Sequence, residues 1–393
     1  MRNVVIASAV RTAGGSFGGK LKNLTAVDLG AAVIREAVVR AGIAPENVGQ
    51  VIFGNGWQAG VGPNPARICT VNGGLPVSCP AFTVNIRCGS GLRAIELGVL
   101  SIAAGEEEMI VAGGTESSTN VPYIQPDARW GFRMGDKKSY DVLHKDGFMC
   151  SLAGMLMGNT GELLAEKYNI TREEQDEYAY ESHLKANNAI DKGAYKEEIL
   201  PIEIKSKKTV DVVDTDEIPR KDISTEKLAK LSPVFLKDGS ITAGNSCALC
   251  DAASAVVLMS EEKAKELGIK PLAVVRSYSY VALEPKHMGL GPALAIPQAL
   301  KKAGLKMEDM DLIEINEAFA VQVIACDREL KLDRKKLNIY GGAIALGHPV
   351  GATGAKILTT LLYALKNNDK KLGVASLCIG GGQGVAMVVE RLN

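Results

Sequence analysis

An excess of charge of either sign is the first thing this sequence lacks: 45 Lys and Arg residues stand against 45 Asp and Glu in 393 residues. Without a global positive field, non-specific binding to nucleic acid or to an anionic membrane surface is excluded, and any anionic ligand must be held by a few local cations. Long apolar runs are missing too. None approaches the ~20 residues of a membrane-spanning helix. The opening Val4-Val5-Ile6-Ala7 is too short for a secretory signal, and the closing Glu390-Arg391-Leu392-Asn393 is no peroxisomal address. The eight cysteines (69, 79, 88, 150, 247, 250, 326 and 378) lack the paired spacing of a zinc site. With no secretory context they are expected to be reduced thiols of a cytoplasmic protein. Aromatic residues are scarce at 5%, whereas glycine, at 42 residues, exceeds its usual ~7% share. That excess predicts tight turns and close backbone approaches.

An internal repeat organises the chain. Residues 34–54 align with residues 296–316, so that Ala41-Gly42 meets Ala303-Gly304 and Val51 meets Ile313, and both copies read as helix, turn, strand. Gly89-Ser90-Gly91 then opens an amphipathic stretch to Ala104 and a strand Met109 to Ala112 ending at Gly113-Gly114. The second copy has Gly351-Ala352-Thr353-Gly354, a helix to about Asn367, and a strand Gly373 to Leu377 ending at Gly380-Gly381-Gly382. Helices alternating with short apolar strands imply layered α/β halves. In the C-terminal copy the glycines lead straight into a last strand, Val385 to Glu390, whereas the matching strand of the first copy, Ala255 to Ser260, arrives much later. We therefore expect an N-terminal half from 1–118 and 250–270, an inserted domain at 119–249, and a C-terminal half at 271–393. The insertion carries the concentrated charge, including Glu173-Glu174, Lys205 to Lys208 and Asp211 to Glu217, and such excursions often shape a ligand site.

Three loops carry the chemistry. Cys88, in Asn85-Ile86-Arg87-Cys88-Gly89-Ser90-Gly91, stands at a predicted helix N-terminus, whose free N–H groups favour thiolate over thiol. It is a candidate nucleophile, against the alternative of a small buried cysteine. His348 is pinned between Gly347 and Pro349 and is the only one of four histidines in such a loop, which suits a proton acceptor near neutrality. Cys378 ends a strand and precedes Gly380-Gly381-Gly382, a backbone able to bring N–H donors to a ligand. Pseudo-twofold packing of the two copies would bring the loops to one edge. A metal site of two cysteines and a histidine is conceivable, but thiol chemistry fits the spacing better.

With these residues in place, the whole chain resembles the thiolases. The matching segments are Val5 to Thr12, the Cys88-Gly-Ser-Gly-Leu loop, Asn316-Glu317-Ala318-Phe319, Gly341 to Gly354, and Cys378-Ile-Gly-Gly-Gly. The resemblance implies a five-layered α-β-α-β-α fold of two βαβαβαββ halves, with the insertion as the loop domain that holds coenzyme A. It also implies reversible Claisen condensation and thiolysis, two acetyl-CoA giving acetoacetyl-CoA and CoA, with coenzyme A as substrate and no cofactor or metal. Cys88 matches the acyl-accepting nucleophile, His348 its base, and Cys378 the acid/base acting on the leaving thiolate, the enolate or the α-proton. Asn316 matches the residue that holds an oxyanion-hole water with His348, and the N–H groups of Cys88 and Gly380 match the second hole. By itself, Asn316 could equally cap a helix from Glu317 to about Leu330. Met157, Met288 and Phe319 match positions around the substrate, Cys247 one on the pantetheine, and Arg220 an arginine at the nucleotide end of coenzyme A. Residues 122–135 resemble a loop that joins dimers, so a homotetramer is expected.

Departures from the family pattern fall on substrate holding. Leu156-Met157-Gly158 stands where the short-chain class has His-Met-Gly, Cys247 replaces a serine, and Ile86-Arg87 precedes the nucleophile in place of commoner residues. These changes imply an altered acyl-CoA preference, or a 3-ketoacyl-CoA thiolase for a longer or unusual acyl group. A redox or metal role for Cys247-Ala-Leu-Cys250 has only one cysteine pair behind it. Cys88 and Cys378, converging on one substrate carbon, are expected to form a disulfide on mild oxidation. Two other classes remain: a decarboxylating ketoacyl synthase, against which Cys378 argues, and a non-catalytic partner subunit, which would be expected to lose Cys88.

Overall fold

The computed structural model describes residues 2–205 and 209–392; residues 206–208 of the run Lys205 to Lys208 lie outside it. The principal strands are β1 (Val4–Thr12), β2 (Gln50–Gly54), β3 (Ala81–Val84), β4 (Met109–Ser117), β5 (Cys250–Ser260), β6 (Ala273–Ala282), β7 (Leu312–Ile315), β8 (Leu372–Ile379) and β9 (Gln383–Arg391). The principal helices are α1 (Ala26–Ala41), α2 (Pro65–Asn72), α3 (Ser90–Ala104), α4 (Met157–Tyr168), α5 (Arg172–Asp191), α6 (Gly291–Ala303), α7 (Ala320–Leu330) and α8 (Thr353–Asn367).

Strand order runs β7-β8-β9-β6-β1-β5-β4-β2-β3. The series β2-β4-β5-β1 of the first copy thus recurs as β7-β8-β9-β6 in the second, each with a parallel outer pair followed by antiparallel neighbours. The repeat also fixes helix ends. Gly42 after α1 and Gly304 after α6 adopt the same left-handed conformation, at φ 67° and 68°, which closes each helix without a Cβ penalty. α1 begins at Thr25, whose side chain accepts from the Asp28 N–H while Asp28 answers in a capping box.

Five layers follow from which faces are apolar. α1 packs with α2 on one face of the first sheet, α6 covers the outer face of the second, and α3 and α8 lie between the two. Strands β1, β4 and β5 are buried along their whole length, as strands covered on both faces must be. One feature differs from two separate sheets: β1 pairs with β6 at Val5–Val274 and Ile6–Ala273, so the sheets join along one edge. β4 also runs through Gly113-Gly114 to Ser117 instead of ending there. The reason is the neighbouring backbone. A Cβ at Gly114 would lie 2.1 Å from the Gly351 carbonyl oxygen, so glycine in mid-strand admits the α8 loop.

β4 and β5 are adjacent and antiparallel, with Ser117 opposite Asp251, and the residues between them form an excursion containing α4 and α5. It is tied down by buried charge. Arg11 of β1 is fully buried, makes two bonds to Asp216 at 2.8 and 2.9 Å and one to Glu198, and stacks on the Tyr195 ring at 5.0 Å.

α3 and α8 also meet backbone to backbone. A Cβ at Gly354 would fall 2.3 Å from the Leu92 nitrogen. Gly354→Ala should therefore lower stability by about 1–3 kcal/mol, read as a lower urea midpoint, whereas an unchanged midpoint would mean the two helices separate freely.

Candidate active site

The turn that carries Cys88 is built by its neighbours. Residues Arg87–Gly89 form one 3-10 turn between β3 and α3, and Arg87 itself is left-handed at φ 56°. Ser90 Oγ accepts from the Ile86 N–H at 3.0 Å and donates to the Arg87 carbonyl at 2.6 Å, while Asn85 Oδ1 accepts from the Arg87 N–H at 3.1 Å. Across the cavity, the His348 loop is pinned from both sides. The His348 N–H donates to the Ala248 carbonyl at 2.9 Å, and the buried Lys356 ammonium donates to the carbonyls of Leu346 and Gly347.

These constraints set His348 Nε2 at 3.1 Å from Cys88 Sγ. Its tautomer follows from the other nitrogen. Thr353 donates its hydroxyl proton to the Pro349 carbonyl at 2.9 Å, so its oxygen must accept from His348 Nδ1 at 2.6 Å. Nε2 is left bare and faces the thiol. Burial, with help from the Lys356 and Arg87 charges, pushes the imidazole down to about 3. Burial also pushes the Cys88 thiol above its ordinary range, against the opposing pull of Arg87 and the Gly380 N–H. The resting pair is therefore neutral thiol and neutral imidazole.

Cys378, at the end of β8, is 1% exposed, and burial followed by the nearby Cys88 sulfur raises its pKa well above normal. Gly381 and Gly382 follow at φ 93° and 84°, a reversal that leaves Gly380 beside Met157 and its N–H directed at the Cys88 sulfur. A cavity of about 400 Å³ opens on this group, and Met157, Cys247, Met288 and Phe319 all line it with Cys88, His348, Cys378 and Gly380. Leu156 does so as well. Cys247 is pushed up to about 12 by burial and then by Cys88.

Asn316 follows β7, beside the strand that ends in Cys378, and is 1% exposed. The capping alternative is overturned: α7 begins at Ala320 after Phe319, with no side-chain cap. Neither the amide nitrogen nor the oxygen of Asn316 has a hydrogen-bond partner in the protein. The next residue takes the structural work, as the buried Glu317 carboxylate accepts from Tyr178, Ser182, Asn338 and the Ile344 N–H, tying α5 to the loop before His348. Arg220 is exposed and outside the cavity wall, its N–H donating to His183 Nδ1 at 3.1 Å. Cys250 is buried within β5 against the Leu346 carbonyl, away from the cavity wall that Cys247 lines, and all eight cysteines are free.

Sequence reasoning missed several participants. In the sequence Thr353 reads only as part of a helix start, yet it fixes the histidine tautomer. Glu116 is buried behind Cys88, accepting from the N–H groups of Gly56, Trp57 and Gly351, and burial raises it to about 7. Trp57, Phe148 and Phe235 form aromatic walls; the only available signal was that the chain has two tryptophans and seven phenylalanines.

A cysteine in contact with a histidine and facing a second cysteine, at the seam of a duplicated α/β fold, is an arrangement suited to group transfer through thiol chemistry. The sequence matches the family model of the thiolase N-terminal domain over residues 4–262 and that of the thiolase C-terminal domain over residues 269–391. It is 50% identical to the acetyl-CoA acetyltransferase of Escherichia coli K12 over 394 aligned positions, and 51% identical to that of Syntrophomonas wolfei over 395, with both chains covered completely. The crystal structure of the Bacillus anthracis acetyl-CoA acetyltransferase superposes with a TM-score of 0.98 at 46% identity, covering 100% of this chain and 99% of that one. The chain belongs to the thiolase family and is an enzyme, a thiolase.

Two outcomes are expected of the pair. Alkylation of Cys88 by iodoacetamide should keep accelerating as pH rises past the ordinary thiol range near ~8.5, because the thiol is raised and not lowered; a plateau at neutral pH would indicate a thiolate–imidazolium pair. Thr353→Val should reduce kcat by roughly 10–100-fold with little change in KM, since it removes the acceptor that keeps Nε2 bare; steady-state kinetics with an unaltered kcat would refute that assignment.

Proposed function

We propose that this thiolase catalyses the reversible condensation of two acetyl-CoA to acetoacetyl-CoA and CoA, or the thiolysis of a related 3-ketoacyl-CoA, through an acyl-enzyme on Cys88. The observation that carries the reading is the 3.1 Å contact of His348 Nε2 with Cys88 Sγ in a cavity that Cys378 also lines. In thiolysis the Cys88 sulfur attacks the 3-keto carbonyl as its proton passes to His348. The carbon–carbon bond breaks, the acetyl-CoA enolate leaves, and Cys378 supplies its proton. Coenzyme A then gives its thiol proton to a base and takes the acyl group from Cys88. The neutral resting pair suits this order, because charge forms only when the carbonyl is in place to receive the sulfur.

Charge on the substrate oxygens needs fixed donors, each typically worth ~3 kcal/mol in the transition state. The N–H groups of Cys88 and Gly380 converge on the sulfur and form one such hole. The unpartnered amide of Asn316 supports a second, in which it and His348 hold a water. Cys378 favours this chemistry over a decarboxylating synthase, and the intact nucleophile favours an enzyme over a non-catalytic subunit. Leu156 and Cys247 both line the cavity at substrate-holding positions, which favours an acyl preference other than the plain short-chain one. Arg220, exposed at the surface, is assigned to the nucleotide end of coenzyme A.

No helix among the described residues is long and apolar enough to cross a membrane. A cytoplasmic homotetramer accords with the segment 122–135, which displays Trp130 at 84% and Met134 at 101% exposure. Cys88→Ser should lower thiolysis of acetoacetyl-CoA by roughly 10³-fold or more, measured by loss of the enolate absorbance. Wild type should show parallel double-reciprocal lines and cleave a longer or bulkier 3-ketoacyl-CoA with the higher kcat/KM. Retained activity in the variant would overturn the acyl-enzyme, and an ordinary preference for acetoacetyl-CoA would overturn the altered specificity.

A further inference from the structure

We propose that Arg87 makes the acyl end of the cavity selective for substrates whose acyl group ends in a carboxylate, so that the 3-ketoacyl-CoA cleaved is a 3-oxo-dicarboxylyl thioester. The inference rests on the thiolase reading above and names the substrate class within it.

Four observations carry it. First, the guanidinium stands at the reacting end of the cavity: Arg87 precedes the nucleophile, lines the cavity, and its charge is felt by both Cys88 and His348. The nucleotide end of coenzyme A is assigned above to the exposed Arg220, which lies outside this cavity's lining, so its phosphates are not what Arg87 is left to bind. Second, the side chain is held there. Its Cζ sits 4.9 Å from the centre of the Trp57 ring, and Nη1 donates to the Gly56 carbonyl at 3.1 Å. Third, that carbonyl is its one side-chain hydrogen bond among the described residues, so four of its five N–H donors are uncommitted, and it enters no ion pair there. Fourth, no acidic side chain lines the cavity. Glu116, a carboxyl that feels the Arg87 charge, forms no ion pair with it and is committed to the N–H groups of Gly56, Trp57 and Gly351, while burial raises it to about 7.

A fixed, unpaired guanidinium in a cavity lined mostly by apolar side chains is poor company for a methyl-ended acyl chain. Such a chain would displace the water that solvates the charge without replacing its hydrogen bonds. A carboxylate replaces them in the planar, two-point geometry that arginine presents. The left-handed backbone at Arg87 belongs to the same arrangement, since it turns this side chain toward Trp57 at the point where a non-glycine residue is strained.

The test compares two thioesters of equal carbon number, 3-oxoadipyl-CoA, which ends in a carboxylate, and 3-oxohexanoyl-CoA, which ends in a methyl. The full-length enzyme should cleave the first with at least tenfold higher kcat/KM. Arg87→Met should collapse that ratio toward one, and Arg87→Lys should keep part of it. Adipyl-CoA should also inhibit wild type more tightly than hexanoyl-CoA, a comparison that needs no variant. Cleavage of both substrates at equal kcat/KM by wild type would overturn the inference while leaving the thiolase reading intact. A ratio that survives Arg87→Met would assign the selectivity to another residue and likewise overturn it. Failure to cleave either of these or acetoacetyl-CoA would sink the thiolase reading itself.

Discussion

Two buried helices that meet backbone to backbone set the geometry on which everything else in this molecule depends. α3 and α8 start from equivalent loops of the two copies, and at their first turns no side chain separates them. The Gly351 carbonyl occupies space that a Cβ on Gly54 or Gly114 would fill, at 2.5 and 2.1 Å. Because the cysteine loop enters one helix and the histidine loop the other, the distance between the helix axes becomes the distance between sulfur and imidazole. A larger residue at Gly91 or Gly354 would press on the backbone of the other helix and so act on the spacing of sulfur and imidazole.

Around that seam, buried polar groups hold loops in place where regular structure cannot. Glu317 gathers two hydroxyls, an amide and a backbone N–H. Lys356 clamps two carbonyls just before His348, and Arg11 binds Asp216 and Glu198 from the excursion. Removing one partner of a buried ion pair typically destabilises by about 3–5 kcal/mol, so these groups secure the placement of the excursion over the cavity. Lys356 also acts on the reacting pair, because its charge adds to burial in disfavouring protonation of His348.

The duplicated scaffold was legible in the sequence because each copy repeats the same punctuation. Ala-Gly at the end of α1 and of α6 marks one left-handed residue twice, and the glycine-rich loops before α3 and α8 mark the same close approach. Cys88, His348 and Cys378 stood out because glycine or proline flanked each of them. Thr353 and Glu116 gave no such sign. Their importance lies in bonds to backbone atoms of other segments, which no local pattern encodes. Asn316 read equally well as a helix cap, and only the start of α7 at Ala320 removes that reading. Arg87 was visible as an unusual residue before the nucleophile, but its stacking on Trp57, thirty positions earlier, depends on how β2 and β3 lie side by side.

The pairing of β1 bears on how the chain is made. This strand is buried throughout, yet its partners are β5, two residue pairs of β6, and the short strand Ile199–Leu200. A ribosome adding residues at ~5–20 per second reaches β5 only about 12–50 seconds after it completes β1. Throughout that interval Val4, Val5, Ile6 and Val10 lack their β5 partners Ser260, Met259, Leu258 and Ala255. The window in which β1 of a nascent chain is open to chaperones or to mispairing thus grows with the excursion between β4 and β5, which supplies the larger part of the chain separating β1 from β5.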